Sequence, residues 1–269
     1  MKKNIKLSPV GIDSHAHLDL SPLNKEIEKV LERAYANSIF MIGNVFLGPQ
    51  AYYKNINLFN ISTKIKLFYI LGIHPHDAKD VKEKDIQEIE KIIKKEKNIK
   101  AIGEIGLDFY RNLSPKEDQY KVFKDQLKLA KDLDFPVVIH SRDADNEVLK
   151  ILLDMGFKGK KVLWHCFTRN KEFAEKVLSY GWYVSIPGVI TYKNATAIQE
   201  AIKFIPDDRI LIESDSPFLS PVPFRGKTNE PAYIVYTASK IAELKGVDLN
   251  YLWQKISANT LNFFEISDF

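Results

Sequence analysis

All six histidines of the chain lie within or just after short apolar segments, where an ionisable side chain needs a partner. Two carboxylates have similar positions, since Glu104 sits at the end of residues 100–103 and Asp215 comes soon after the apolar residues 211–212. A single buried histidine is more often a hydrogen-bonded core residue than a ligand, but buried carboxylates need a cation or a donor. We therefore predict a metal site with the ligands His15, His17, Glu104, His140, His165 and Asp215.

The motif Asp13-Ser14-His15-Ala16-His17 predicts a strand that presents two ligands to one ion. Residues i and i+2 of a strand project to the same face, so His15 and His17 can bind together. Asp13 falls on that face too, and we expect its carboxylate to orient one of the imidazoles.

The types of ligand restrict the metals that the site can hold. Imidazole and carboxylate suit zinc, manganese, iron or cobalt, whereas a thiolate site would need more cysteine than the single Cys166. Six donors exceed the roughly three protein ligands of one catalytic zinc ion. Two divalent ions about 3.5–4 Å apart, bridged by Glu104, would use all six donors.

The segments that carry these residues alternate with longer amphipathic stretches. They are rich in β-branched or aromatic residues, as expected of strands buried on both faces. The eight predicted strands cover residues 9–12, 38–45, 66–73, 99–105, 136–139, 161–164, 182–186 and 209–212. Strands alternating with helices indicate a parallel α/β fold, and eight repeats predict a TIM-type (β/α)8 barrel, with residues 1–269 as a single domain.

The spacing of the polar residues follows the same repeat. About 25 to 36 residues separate successive positions from His74 to His165, and Asp215 lies about two such units further on. Each residue is therefore expected at the carboxyl end of a strand, the face at which barrel enzymes place their chemistry.

Three helical segments accompany this pattern. Residues 84–97 carry isoleucines on one face and charges elsewhere. Ser114 and Glu117 predict an N-cap and a capping box for a helix over residues 115–133. The segment from about 233 to 264 is expected to be helical and to cover the last strand.

Composition adds limits of its own. With 39 basic and 35 acidic residues the net charge is only +4, so an acidic substrate would need a local basic patch. We find no apolar core of a secretory signal and no run of roughly 18 apolar residues that could span a membrane. The single Cys166 fits a reducing compartment, so we expect a soluble, cytoplasmic protein without a membrane partner.

An ordered set of motifs runs through nearly the whole chain. The motifs are Asp13-Ser14-His15-Ala16-His17-Leu18-Asp19, Gly72-Ile73-His74-Pro75-His76, Gly103-Glu104-Ile105-Gly106-Leu107-Asp108, Ile139-His140-Ser141-Arg142-Asp143-Ala144, His165-Cys166-Phe167-Thr168, Glu213-Ser214-Asp215-Ser216-Pro217-Phe218-Leu219 and Arg225-Gly226-Lys227-Thr228-Asn229-Glu230-Pro231. In these motifs the chain resembles the TatD-related, metal-dependent deoxyribonucleases of the amidohydrolase superfamily. It departs from them at Arg169-Asn170, where relatives often have Gly-Ser, which concerns a substrate loop rather than a ligand.

The resemblance implies two divalent metal ions (zinc, magnesium or manganese) in a TIM barrel. The two implied ligand sets are His15, His17, Glu104 and Asp215 for the first ion, and Glu104, His140 and His165 for the second. We expect hydrolysis by a metal-activated water, with Asp215 as the general base and Glu104 as the shared ligand. His74 is not needed as a ligand and is expected to contact a phosphate or leaving oxygen; the alternative is that His74 or His76 caps the next helix.

The implied substrate is DNA, trimmed from the 3′ end of single strands. Arg142 and Arg225 lie inside matched motifs and are predicted to bind substrate phosphates, although charged loop residues are often only solvated. Further candidates for contact are the basic residues Lys193 and Lys227 and the aromatic residues Phe109, Tyr110, Phe167, Phe218 and Phe224, which could stack a terminal base. Cys166 next to His165 suggests a nucleophile, but neighbours on a strand face opposite ways, so we expect it to pack outward.

Three other functions remain open from the sequence. The same centre can attack an ester, as in relatives that remove D-amino acids from mischarged tRNA, which would make tRNA the partner. The wider superfamily also includes hydrolases of small amides and lactones. A binding module without catalysis would be expected to lack a ligand, and none of the six is missing.

Overall fold

Eight parallel strands form the centre of the protein in a computed structural model that describes residues 7–267. The strands pair in chain order from β1 to β8. They are β1 Gly11–Ala16, β2 Ile39–Leu47, β3 Lys66–Gly72, β4 Ile99–Asp108, β5 Val137–Arg142, β6 Val162–Trp164, β7 Tyr183–Ile186 and β8 Ile210–Ile212. All eight predicted strands and the parallel α/β barrel are therefore confirmed.

The barrel closes between β8 and β1 partly through side chains and the residues after β8. The Ser14 hydroxyl donates to the carbonyl of Ile212 at 2.8 Å, and the Ser214 amide donates to the Asp13 carboxylate at 2.9 Å. One residue further on, the Asp215 amide donates to the carbonyl of His15 at 2.9 Å. Closure of the barrel thus fixes Asp215 beside the strand that carries His15.

Helices pack around the outside of the barrel. They are α1 Ile27–Ala36, α2 Pro49–Asn55, α3 Glu83–Lys95, α4 Lys116–Asp132, α5 Asp145–Asp154, α6 Lys171–Ser179, α7 Thr196–Ala201, α8 Ile234–Lys245 and α9 Leu249–Phe263. The predicted C-terminal helical segment is two helices, because Gly246 adopts a left-handed conformation (φ 66°) that ends α8. No helix within residues 7–267 is both long enough and apolar enough to cross a membrane.

Two groups of buried side chains hold the layers together. Most of the core lies between the strands and the helices, as the amphipathic patterns require. A second cluster, which includes Ile12, Phe68, Val138 and Leu211, joins residues of the strands to Phe264 after α9. The rings of Phe68 and Phe264 lie 4.6 Å apart, so the chain's last helix is anchored to this cluster.

The structure corrects two details of the prediction. β1 runs on to Ala16 and β4 to Asp108, beyond the predicted ends at residues 12 and 105. Ser114 does not cap α4: its hydroxyl donates to the carbonyl of His76 at 2.7 Å and accepts from the amide of Lys79 at 3.1 Å. These two hydrogen bonds tie the loop after β4 to the segment after β3. Because they occupy the Ser114 hydroxyl, it does not cap the helix.

Gly106 allows β4 and β5 to approach each other beside His140. Its φ is +149°, and a Cβ atom there would lie 1.9 Å from the backbone oxygen of His140. We expect Gly106→Ala to lower the free energy of unfolding by more than about 4 kcal/mol, since backbone must move. Gly159→Ala, at φ +75° with no atom within 4 Å, should cost only about 1–2 kcal/mol. Urea unfolding of both variants measures this difference, and equal losses would contradict it.

Candidate metal centre

β1 delivers two imidazoles to the interior of the barrel mouth. His15 and His17 are almost fully buried, and their Nε2 atoms lie 3.3 Å apart. The same two atoms face one oxygen of Glu104, Oε2, at 3.5 and 3.7 Å. They also face Oδ1 of Asp215, at 3.9 and 3.5 Å. The imidazoles of His15 in β1 and His17 just after it thus each face one carboxylate oxygen from β4 and one from the residues after β8.

This first set fits a metal ion. A tetrahedral ion with ligands at about 2.0–2.2 Å requires donor atoms about 3.3–3.6 Å apart. The five separations above run from 3.3 to 3.9 Å, in or slightly above this range, and every donor is a nitrogen or an oxygen that zinc accepts.

The second set gathers on the other oxygen of Glu104. Oε1 makes a very close contact with Nδ1 of His140 and lies 3.2 Å from Nε2 of His165. His74 adds a third imidazole, with Nε2 at 3.6 Å from the same oxygen. Glu104 therefore presents one oxygen to each set, as a bridging carboxylate would. The structure brings together all six predicted ligands.

The charges of this cluster are strongly coupled. Burial would raise the pKa of Glu104, but the neighbouring imidazoles of His165 and His140 hold it well below its usual value. Burial would lower the pKa of His165, but the charges of Glu213 and Glu104 raise it well above its usual value. Glu104 is thus an anion that attracts cations, whether protons on imidazole or metal ions.

Asp13 does not orient an imidazole, which corrects the sequence prediction. Its Oδ1 accepts from the backbone amides of His15, at 3.2 Å, and Ser214, at 2.9 Å. Among the described residues, neither Asp13 Oδ2 nor the Nδ1 atom of His15 or His17 has a hydrogen-bond partner. The reason is that Asp13 has a short side chain, which reaches backbone amides beside it more easily than the imidazole of a residue two positions further along β1. Burial raises the pKa of Asp13 to about 7.

Two carboxylates that the sequence analysis did not single out support the ligands. Glu213 accepts from Nδ1 of His165 at 3.0 Å and from the amide of Cys166 at 2.8 Å. Asp108 lies 2.7 Å from Nε2 of His76 and 3.4 Å from Nε2 of His140. Such carboxylates fix the ring orientation and tautomer of a metal-binding histidine. The available signal was position: both lie in motifs beside a predicted ligand, after apolar residues.

His74 has the capping role that the sequence left open, while its other ring nitrogen faces the second set. Its Nδ1 accepts from the amide of His76 at 3.1 Å, which caps the short 3-10 helix Pro75–Asp80. Its Nε2 faces Glu104 and His140 in the second set. Burial, with the charge of His140, lowers the pKa of His74 to about 4, so the ring is neutral near pH 7 and carries its proton on Nε2.

Cys166 faces the site rather than packing outward, which corrects a second prediction. Its sulfur and ligand atoms of His165 and Glu213 all lie within 4.8 Å of one another. Strand alternation does not apply, because β6 ends at Trp164 and Cys166 has a φ of +49°. Burial raises the pKa of the thiol above its usual value, so it is a poor nucleophile near pH 7.

The predicted substrate residues lie in loops at the mouth. Arg142 ends β5 and lies over the ring of Tyr110 at 4.0 Å, while Arg225 lies over Tyr192 at 4.3 Å. Both arginines are exposed, as are Lys193 and Lys227. Of the aromatic candidates, Tyr110 and Phe218 are more than half exposed, Phe109 and Phe224 are partly buried, and Phe167 is fully buried in the core. Phe167 is therefore unavailable for stacking.

Arg169, at the departure from the family motif, fastens two loops of the mouth. Its guanidinium pairs with Asp145 at 2.5 Å and donates to the carbonyl of Ser141 at 3.0 Å. Asn170 caps α6 by accepting from the amide of Phe173 at 3.0 Å. The loop after β6 is thereby tied to the end of β5.

Histidines and carboxylates gathered at the carboxyl ends of a parallel barrel define a metal-dependent hydrolase of the TIM-barrel type. The model of the TatD related DNase family matches residues 12–265. The chain belongs to this family.

Relatives and solved structures agree with this assignment. The uncharacterized metal-dependent hydrolase YabD of Bacillus subtilis is 38% identical over 255 residues, which cover 95% of this chain and 99% of the relative. The uncharacterized metal-dependent hydrolase YcfH of Escherichia coli is 33% identical over 258 residues, covering 95% and 96%. The structure of the TatD homologue YJJV of Escherichia coli superposes with a TM-score of 0.87 at 25% identity, covering 96% of this chain and 99% of that one.

Removal of Glu104 should damage both donor sets at once. Loss of a carboxylate that merely orients a ligand costs about 10–100-fold in metal affinity, so Glu104→Ala should cost more than about 100-fold. Metal analysis after dialysis against a weak chelator tests this, with the exposed Glu200→Ala on α7 as the control. Equal metal retention by Glu104→Ala and wild type would refute the assignment.

Glu213→Gln should weaken metal binding without removing a donor atom. The amide has no charge to hold the proton on Nδ1 of His165, so the ring is less well oriented toward Glu104. We expect a loss of about 10–100-fold in affinity. A zinc-competition titration with a chromophoric chelator measures it; an affinity within twofold of wild type would show that Glu213 has only a packing role.

Proposed function

We propose that the protein is a deoxyribonuclease that removes nucleotides from the 3′ ends of single-stranded DNA. The observation that carries the proposal is the position of Glu104 between two donor sets, in a chain that belongs to the TatD related DNase family. We propose two divalent metal ions, zinc, magnesium or manganese, one held by each set.

The ions would lower the pKa of a water molecule and neutralise negative charge that develops on a phosphodiester. Asp215 would accept the proton of that water. Burial would raise the pKa of Asp215, but the contact with His17 lowers it below the usual value, so the carboxylate is ionised near pH 7. Its side chain is 13% exposed and thus borders the open mouth. Both properties suit a general base.

His74 supplies a neutral donor. With Nδ1 engaged by the amide of His76, the N–H at Nε2 faces Glu104 and is available to an oxygen of the substrate. A neutral imidazole can stabilise a developing negative charge by donating a hydrogen bond without transferring its proton. We assign His74 to the phosphate or the leaving oxygen.

Recognition of DNA is assigned to the loops around the mouth. Arg142 and Arg225 are exposed cations held in place by aromatic rings, which suits contact with phosphates. The exposed rings of Tyr110 and Phe218 offer stacking surfaces for unpaired bases. Binding should consequently weaken with rising salt concentration.

Asp215→Asn should lower the rate of DNA cleavage by at least about 10³-fold, because the amide cannot accept a proton and is a weaker ligand. The assay follows 5′-labelled single-stranded DNA with added zinc, magnesium or manganese, and again with excess chelator. Asp208→Asn, exposed before the opposite end of β8, is the matched control.

Three results of this assay would count against the proposal. Near-wild-type cleavage by Asp215→Asn in saturating metal would show that Asp215 is not the general base. Cleavage that persists in excess chelator would show that the reaction does not need metal ions. Turnover of D-aminoacyl-tRNA but not of DNA would replace the nuclease by the ester hydrolase of the same centre.

A further inference from the structure

A cavity of about 290 Å³ opens beside His17, between the loop after β1, the end of β2 and helix α2. His17 lines this cavity and also belongs to the first donor set, so the cavity adjoins the proposed reaction centre. We infer that it is the subsite for the nucleoside next to the scissile phosphate. The inference rests on the proposed function, which it makes more specific.

The walls of the cavity suit a flat, weakly polar group. Leu20 comes from the loop after β1, Val45 and Leu47 from β2, and Ala51 from α2. These aliphatic side chains can cover the faces of a base but offer nothing to a charged phosphate. Small-molecule sites combine such walls with a few polar groups that fix orientation.

The polar groups at the cavity can pair with the edge of a base. Asn55 and Gln50 line it, and their amide nitrogens donate to Asp19 at 2.9 Å and to Asp85 at 3.0 Å. Each amide keeps its carbonyl oxygen and a second N–H, so it can both accept from and donate to the polar edge of a base. Lys54, exposed on α2, is the cation of the cavity and suits a neighbouring phosphate.

The size and position of the cavity also limit the form of DNA. A space of about 290 Å³ accepts one nucleoside but not a stacked base pair. A base must therefore leave its neighbours to enter, which costs least at an unpaired end. The cavity supports a preference for single-stranded termini.

The first test compares two oligonucleotides that differ only in whether the terminal nucleotide has a base or is abasic. Wild type should cleave the complete strand at least about tenfold more efficiently, in kcat/KM, than the abasic one. Ala51→Leu, which fills the cavity, should reduce this ratio to near one. Lys54→Ala, an exposed substitution, should raise KM for the complete strand several-fold. Ala197→Leu, on the exposed face of α7, is the control and should keep the wild-type ratio.

The second test measures binding without turnover. Deoxyadenosine monophosphate is titrated into metal-free and zinc-loaded protein, and binding is followed by NMR or calorimetry. Wild type and Ala197→Leu should bind in both states, and Ala51→Leu should lose at least about tenfold in affinity.

The two tests separate this inference from the proposed function. If wild type cleaves DNA but Ala51→Leu keeps the base-dependent ratio, the subsite is wrong and the nuclease stands. If wild type cleaves no DNA but binds the nucleotide in a manner that Ala51→Leu abolishes, the nucleoside subsite stands and the nuclease does not. Binding that no variant changes overturns the subsite directly.

Discussion

The site depends on one buried carboxylate that faces cations from two sides. Glu104 is 4% exposed, and its two oxygens point at separate groups of imidazoles. A carboxylate taken out of water in this way is costly unless positive charge or hydrogen-bond donors surround it. The four predicted histidine ligands can surround Glu104 only if the strands that carry them end at the same face of the barrel. The donor cluster therefore forms only when the barrel is closed.

The closure of the barrel shows how the two are joined. β8 is only three residues long, and the contact between the ends of the sheet continues through Asp13, Ser214 and Asp215. Asp13 uses its carboxylate on backbone amides, so the chain immediately before His15 is locked to the chain immediately before Asp215. A structural carboxylate thus positions two donors of the first set without touching a donor atom of either.

The sequence was most informative about the strands, because a local apolar pattern identifies each strand and the parallel arrangement then relates residues far apart in the chain. Eight buried strands follow from apolar runs, and parallel strands place their carboxyl ends at one face, so six side chains far apart in the chain could be predicted to meet there, where the structure brings them together. Alternation failed at Cys166, because the strand had already ended, and capping failed at Ser114, because its hydroxyl reaches another loop. The roles of Glu213 and Asp108 depend on which imidazole nitrogen each one meets. That depends on ring orientation, which spacing does not encode.

The choice of substrate is a separate problem from the chemistry of the centre. A metal centre held by imidazoles and carboxylates can activate water for attack on a phosphodiester or a carboxylic ester alike, because both reactions need an activated water and neutralised charge. Discrimination must then come from groups that would meet the rest of the substrate, and under the proposed function these are the arginines above Tyr110 and Tyr192 and the cavity beside His17. Arg169 also shapes the mouth, since its contacts with Asp145 and Ser141 tie the loop after β6 to the end of β5, which carries Arg142. A barrel of this kind can keep its donors unchanged and alter its substrate through those loops, which is where this chain departs from its family's motif.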